Sequence, residues 1–354
     1  MLPEIEINIS LMLLLVFLGL GVGTLSGFAG VGGGFFMTPA LIVLGFPASF
    51  AVGTSLAWIV GNAIVGALRH RHLGNVDMKL GLVMVIAAMS GTEVGVRIVN
   101  WLKDIGLADE VVLSISIFML LTVGTYTLSE SIRAKRRLDA TLVNKESAAP
   151  SLKESGWSRR IQSVNLPPVL HFSTSGISIS LWILLALGFF IGVLAGLIGV
   201  GGGFIMVPSL IYLVGLPSFM AVGTGLFQII FSAAYGTIRH TISGNVIIFT
   251  AFIMLLASSV GVQFGAQVTR YVRGVSLRFI LGTSILLAAV GSILKLSSLL
   301  ITSAPLQTGS IAVTFAGIGL AVIMVIFFFV ISVHHRHGHR VPAFMESLLI
   351  KKEE

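Results

Sequence analysis

Two stretches of this chain cannot run as uninterrupted helix, and they are copies of one another. Gly27 to Pro39 reads G-F-A-G-V-G-G-G-F-F-M-T-P, and Gly196 to Pro208, 169 residues later, reads G-L-I-G-V-G-G-G-F-I-M-V-P. Glycine in a helix interior is about 1 kcal/mol worse than alanine. Consecutive glycines in apolar sequence therefore mark places where backbone bends or something approaches it closely. The copy extends further: Ala51-Val52-Gly53-Thr54 returns as Ala221-Val222-Gly223-Thr224, Arg69-His70 as Arg239-His240, and Gly74-Asn75-Val76 as Gly244-Asn245-Val246. The offset becomes 170 beyond Pro47, which places one extra residue near Val214 in the second copy. A duplicated unit organises the fold.

The 354 residues are 55% hydrophobic and 10% charged, with a mean hydropathy of +1.02. A soluble core needs far less apolar sequence, so a polytopic membrane protein is expected. With no cysteine, disulfides, thiolate metal sites and cysteine nucleophiles are all excluded. The net charge of +8 belongs to loops that orient a membrane protein, since no basic patch interleaved with aromatics points to nucleic acid. The acidic start Met1-Leu2-Pro3-Glu4-Ile5-Glu6 lacks the basic flank of a signal peptide, so the first apolar segment is expected to stay.

Nine long apolar segments are expected at 10–29, 49–68, 79–100, 110–129, 178–198, 219–238, 245–269, 276–295 and 309–333. Two shorter ones, 33–45 and 202–214, follow the glycine triplets and are too short to cover a hydrocarbon core of about 30 Å. They read as broken helices or hairpin arms buried among neighbours, interrupted by Pro39 and Pro208. Counting them as crossings with the N-terminus outside puts eighteen Lys/Arg in the cytoplasm and three outside (Lys103, Arg239, Lys295). The re-entrant alternative scores thirteen against eight, so the first topology is preferred. Five crossings per half make the halves inverted repeats, an arrangement of secondary transporters. The expected fold is an all-α integral membrane protein. Its parts are a first transmembrane repeat at 1–129, a basic cytoplasmic linker at 130–177, a second repeat with an extra C-terminal helix at 178–333, and a cytoplasmic tail at 334–354. The linker reads as a tether and the histidines of His334 to His339 as incidental to a basic tail, with a regulatory element and a metal-capture site as the alternatives.

Candidate chemistry falls at membrane depth. Gly32, Gly33 and Gly34, and Gly201, Gly202 and Gly203, precede short helices whose unpaired N–H groups would face the bundle centre and suit an anion. Close helix packing through small residues is the competing reading. A dinucleotide or phosphate loop fails on context, because no strand precedes the glycines. Thr54, Asn62, Thr224, Gln228 and Ser232, with Ser55, are uncharged polar groups that would either bind a tetrahedral oxyanion or hydrogen-bond between helices. Glu93 and Arg97 share one helical face at i,i+4; Arg97 is a candidate for the substrate's anionic group and Glu93 for proton coupling, against a structural ion pair. Their counterparts in the second copy are Gln263 and Gln267. Arg69-His70 and Arg239-His240 end their helices at opposite membrane faces and read as headgroup anchors, with a gating role as the alternative. No paired acid, Ser/His dyad or metal cluster supports an enzyme, and no cofactor is implied.

The doubled G-x-G-G-G-F-x-x-x-P, each followed by A-V-G-T, R-H and G-N-V, resembles the sulfite exporter TauE/SafE family over about 11–129 and 178–295. The resemblance implies a cytoplasmic-membrane permease, without a cofactor, for sulfite, sulfonates or related organic anions. The lipid bilayer and a small anion are then its partners, and a homodimer is left open. A metal or cation permease with the histidine-bearing tail as capture site is the alternative, weakened by the scarcity of acidic or imidazole groups in the apolar segments.

Overall fold

The computed structural model of the chain describes residues 8–29, 33–143, 166–268, 272, 274–301 and 303–336. Its helices are α1 (Ile9–Ala29), α2 (Gly34–Val43), α3 (Ala48–His72), α4 (Met78–Asp104) and α5 (Ala108–Val143). After a hairpin of β1 (Val169–Phe172) and β2 (Ile177–Ser180) come α6 (Leu181–Ile198), α7 (Gly203–Ser209), α8 (Ser218–Ile242), α9 (Ile248–Val268), α10 (Gly274–Ile301) and α11 (Ala304–Arg336). Among the described residues nine of these are long and apolar enough to cross a membrane, while Gly34–Val43 and Gly203–Val214 are the two shorter apolar helices. The expected nine long and two short segments are the ones that form.

The extra residue of the second repeat has a visible home. Leu210–Val214 continues α7 as a single π turn, and the Leu216 N–H reaches back to the Leu210 carbonyl at 2.9 Å. In the first repeat, Phe46 N–H bonds the carbonyl of Leu41, one residue nearer, at 3.0 Å. A wider turn absorbs one residue without shifting the flanking elements.

The chain forms two compact units. The first gathers Gly30–Val112 and Leu152–Leu255 and so contains both short helices. In it α3 and α8, repeat equivalents, lie antiparallel and dock reciprocally. Gly53 of α3 sits on the Asn245 carbonyl beyond the end of α8, and Gly223 of α8 sits on the Asn75 carbonyl beyond the end of α3. Each of those turns closes its helix with a matching bond, Asn75 N–H to His70 O at 2.9 Å and Asn245 N–H to His240 O at 2.8 Å.

Small residues also set the pairing of α4 with α6. Gly91 and Gly95 lie against the carbonyls of Phe189 and Val193, and Gly192 and Gly196 against those of Ala88 and Thr92. The second unit, Asn8–Ala29, Leu113–Ser151 and Leu256–Glu354, repeats the device with equivalent residues. There Gly261 and Gly265 lie against the carbonyls of Leu20 and Thr24, and Gly23 and Gly27 against those of Ser258 and Val262. The first helix of each repeat thus packs on the fourth helix of the other. Backbones come this close only where side chains are absent, and apolar chains in lipid gain from that contact through dispersion rather than through expulsion of water. Also in the second unit, the end of α5 is tied to α10 by Ser131 Oγ to Val275 O at 2.8 Å and by an Arg278–Glu130 ion pair. Helix α11, outside the repeat, stacks Phe315 on Phe17 of α1 with ring centroids 6.0 Å apart.

The described parts of the stretch between the repeats, up to Val143 and from Leu166, are structured rather than a plain tether. Helix α5 runs on to Val143, and β1 pairs with β2 from Val169↔Ser180 to Phe172↔Ile177. Phe172 and Ile179 are buried with Leu80, Met84, Met206 and Leu210 in the core of the first unit. The turn is pinned where the Ser175 hydroxyl donates to Asp77 Oδ2 at 2.9 Å, while Asp77 Oδ1 caps α4 through Leu80 N–H. The apolar side chains of β1 and β2 explain the docking, a period-2 pattern too short to stand out among long apolar runs. Replacing Ser175 by alanine removes one hydrogen bond to a carboxylate and is expected to cost about 1–2 kcal/mol, read as a lowered unfolding midpoint.

Candidate functional site

The site is built where the glycine triplets turn into short helices. Gly33 caps α2 with φ 68° and Gly202 caps α7 with φ 79°, both in the left-handed region that other residues avoid. Gly34 and Gly203 begin their helices buried, and Gly32 lies outside the described residues. The two helix starts meet: Phe35 and Phe204, repeat equivalents, approach with ring centroids 4.9 Å apart. A Cβ on Gly34 would lie 2.6 Å from the Val200 carbonyl oxygen, and one on Gly201 2.8 Å from Ile59 and 3.3 Å from Ile229. Ile59 and Ile229 are themselves equivalents, on α3 and α8. The glycines therefore serve close packing as well as the turn.

Polar candidates divide into two groups. Thr54 and Thr224 form a reciprocal clasp: Thr54 Oγ1 accepts from Ile247 N–H at 3.1 Å, and Thr224 Oγ1 accepts from Asp77 N–H at 3.0 Å. These hydroxyls tie each repeat to the turn of the other, accepting from backbone N–H groups rather than bonding between helices. Asn62 on α3 and Gln228 and Ser232 on α8 are buried on the faces that carry Ile59 and Ile229. Ser232 donates to its own helix at Ile229 O over 3.3 Å. Gln228, 1% exposed, has no hydrogen-bond partner for either Oε1 or Nε2, and the Ser55 hydroxyl of α3 is likewise buried without one. A buried polar group left so costs about 1–3 kcal/mol, which makes Gln228 the residue of this set most in need of a ligand.

Glu93 and Arg97 do pair, Arg97 Nε donating to Glu93 Oε1 at 2.7 Å, yet Arg97 is 73% exposed. The tighter partner is Arg239 of α8, which donates Nε to Oε2 at 2.6 Å and Nη2 to Oε1 at 2.9 Å, with the Tyr235 hydroxyl on Oε2 at 3.0 Å. Arg239, expected as a headgroup anchor, is therefore half of a fork across α4 and α8. Sequence reasoning missed it because nothing in local spacing joins residues 146 apart. One clue was present: the second repeat has Gln263 at the position of Glu93, so the first repeat's acid needed a partner of its own. Nearby, Lys103 Nζ donates to Asn245 Oδ1, and Asn245 Nδ2 to Asn100 at 2.8 Å. Its neighbour His240, expected like Arg239 at a helix end in the headgroups, is fully buried with Nε2 3.4 Å from Gly196 O. Among the described residues no group of three or more His, Asp or Glu converges as a metal site; His337 and His339 lie outside them.

Among the described residues, nine long apolar helices and two short ones, which run through Pro39 and Pro208 from glycine-capped starts that meet inside the first unit, define a polytopic membrane protein. The sequence pattern of the family described as "Sulfite exporter TauE/SafE" matches residues 15–292, most of the chain. The chain belongs to that family. It is 28% identical over 256 residues to "Probable membrane transporter protein YunE" of Bacillus subtilis (strain 168), covering 70% of this chain and 85% of that one. It is 24% identical over 276 residues to "Probable membrane transporter protein YjnA" of the same organism, covering 76% and 94%. No solved structure gives a significant match. The match ends before α11, the helix outside the repeat.

Proposed function

We propose that the protein is a secondary transporter of small sulfur oxyanions, such as sulfite or an organosulfonate, across the cytoplasmic membrane by alternating access. The observation that carries this reading is the meeting of the two left-handed glycine turns, Gly33 and Gly202, beside buried uncharged polar groups on α3 and α8. Turn N–H groups with Asn62, Gln228 and Ser232 offer hydrogen bonds to an anion without a fixed cation, which suits a substrate that must also leave. The antiparallel pairing of α3 with α8 supports inverted repeats about a two-fold, and the Lys/Arg distribution supports an N-terminus outside and a C-terminus in the cytoplasm. Glu93, the candidate proton carrier, accepts four donors, so its role in this proposal is to hold α4 to α8. The proposal gives Arg97, 73% exposed and paired with Glu93, no substrate contact.

Flux into proteoliposomes with labelled sulfite, sulfoacetate, sulfate and a divalent cation, each with and without a pH gradient, tests the proposal. Saturable movement of a sulfur oxyanion is expected. Movement of the cation alone would favour a metal permease instead, and no movement of any probe would remove the transport assignment for these substrates.

A further inference from the structure

Among the described residues of α8, the buried amide Gln228 departs from the repeat. Gln228 occupies the position that Trp58 fills in α3, and both are buried. The neighbouring asymmetry is Ser55 in α3 against Gly225 in α8. Residues 225, 228, 229 and 232 share one face of α8 by helical periodicity. That face covers α7: a Cβ on Gly225 would lie 3.3 Å from Met206, and Ile229 is 3.3 Å from the Cβ position of Gly201. Gln228 therefore lies on the face of α8 that packs on Gly201 and Met206, with Oε1 and Nε2 both unpartnered and 1% of its surface exposed. Buried side-chain amides in folded proteins are hydrogen-bonded as a rule, and an exception calls for a partner that comes and goes.

We infer that Gln228 determines substrate specificity, and that the preferred substrate is a small oxyanion that also carries a hydroxyl hydrogen. This rests on the transport reading above. An amide presents a donor and an acceptor side by side. Its NH2 donates to an oxygen of the anion, and its carbonyl accepts from the hydroxyl. A hydroxyalkanesulfonate or a monoprotonated inorganic oxyanion satisfies both, whereas an alkylsulfonate leaves the carbonyl orphaned. A site built to hydrogen-bond a hydroxyl discriminates strongly against the analogue that lacks it. Any proton on the substrate then travels with it, and Glu93 need not release its partners.

The test compares 2-hydroxyethanesulfonate with ethanesulfonate, which differ by one hydroxyl, on the purified full-length protein and on a Gln228→Met variant. Two readouts are needed: the ligand-induced rise in unfolding temperature, and competition against labelled sulfite flux in proteoliposomes. In the wild type, 2-hydroxyethanesulfonate is expected to bind roughly tenfold or more tightly than ethanesulfonate. The variant is expected to unfold at the same or a higher temperature without ligand, because an orphaned amide has been replaced by an apolar chain. It should bind the two sulfonates within about twofold of each other. A preference retained in the variant overturns the inference. So does a variant that unfolds several degrees lower without ligand, since that would give the amide a structural partner. Equal binding of the two sulfonates by the wild type, with sulfite flux intact, overturns the substrate class but leaves the transport reading standing. Absence of both binding and flux for every sulfur anion brings down the transport reading and this inference together.

Discussion

Replacing Gly202 by valine is expected to reduce transport to background while the protein still inserts in the membrane. The residue sits at φ 79°, and a Cβ there would lie 2.5 Å from Ile191 Cγ2. The left-handed conformation costs an L-residue about 1–2 kcal/mol, and overpacking adds about 1–3 kcal/mol. The chain can relieve both only by moving the start of α7, where Phe204 meets Phe35. Insertion depends on apolar segments that the change leaves intact. Gly202→Ala shares the strain without the branched chain and should retain part of the flux. Gly33→Val carries the same backbone penalty, φ 68°, and is expected to impair the first repeat in the same way. Flux and membrane yield measured side by side decide the matter: undiminished flux in both valine variants would remove the turns from the mechanism.

Glu93→Ala is expected to give the larger loss of stability among the charged residues. The carboxylate is 17% exposed and gathers Arg97, both faces of the Arg239 fork and the Tyr235 hydroxyl. Hydrogen bonds to a charged group contribute about 1.5–3 kcal/mol when partly buried, and their removal leaves Arg239, 32% exposed, without its acceptor. Arg97→Ala removes an ion pair open to its surroundings and should cost less than about 1 kcal/mol. Thermal unfolding of the single variants is expected to rank Glu93→Ala below Arg239→Ala, with Arg97→Ala close to the parent. Equal losses for Glu93→Ala and Arg97→Ala would mean that the i,i+4 pair, rather than the link between α4 and α8, carries the energy.

The two classes of site residue differed in how readable they were. Gly33 and Gly202 announce themselves because three glycines in apolar sequence have few uses. Thr54 and Thr224 were visible as a pair, yet whether they face a substrate or clasp a backbone depends on which turn lies opposite, 193 and 147 residues away. Arg239 looked like an anchor because a cation at a helix end usually is one. The hairpin at 169–180 escaped because four-residue strands leave almost no periodic signal.

Legible in the sequence are the count and length of the helices, the glycine turns before the two short ones, the duplication and the extra residue after Pro208. The expected interruption at Pro39 and Pro208 does not occur, since both helices run through their prolines. The properties that held are local: apolar length must match a bilayer, glycine turns the backbone where it stands, and a repeat is visible as text. Only the tertiary structure decided that the first helix of each repeat packs on the fourth of the other, that Glu93 belongs to Arg239, and that Gln228 is left without a partner. Each of these is a contact between segments distant in the chain, and a side chain's partner is set by what folding brings opposite it rather than by its neighbours in sequence.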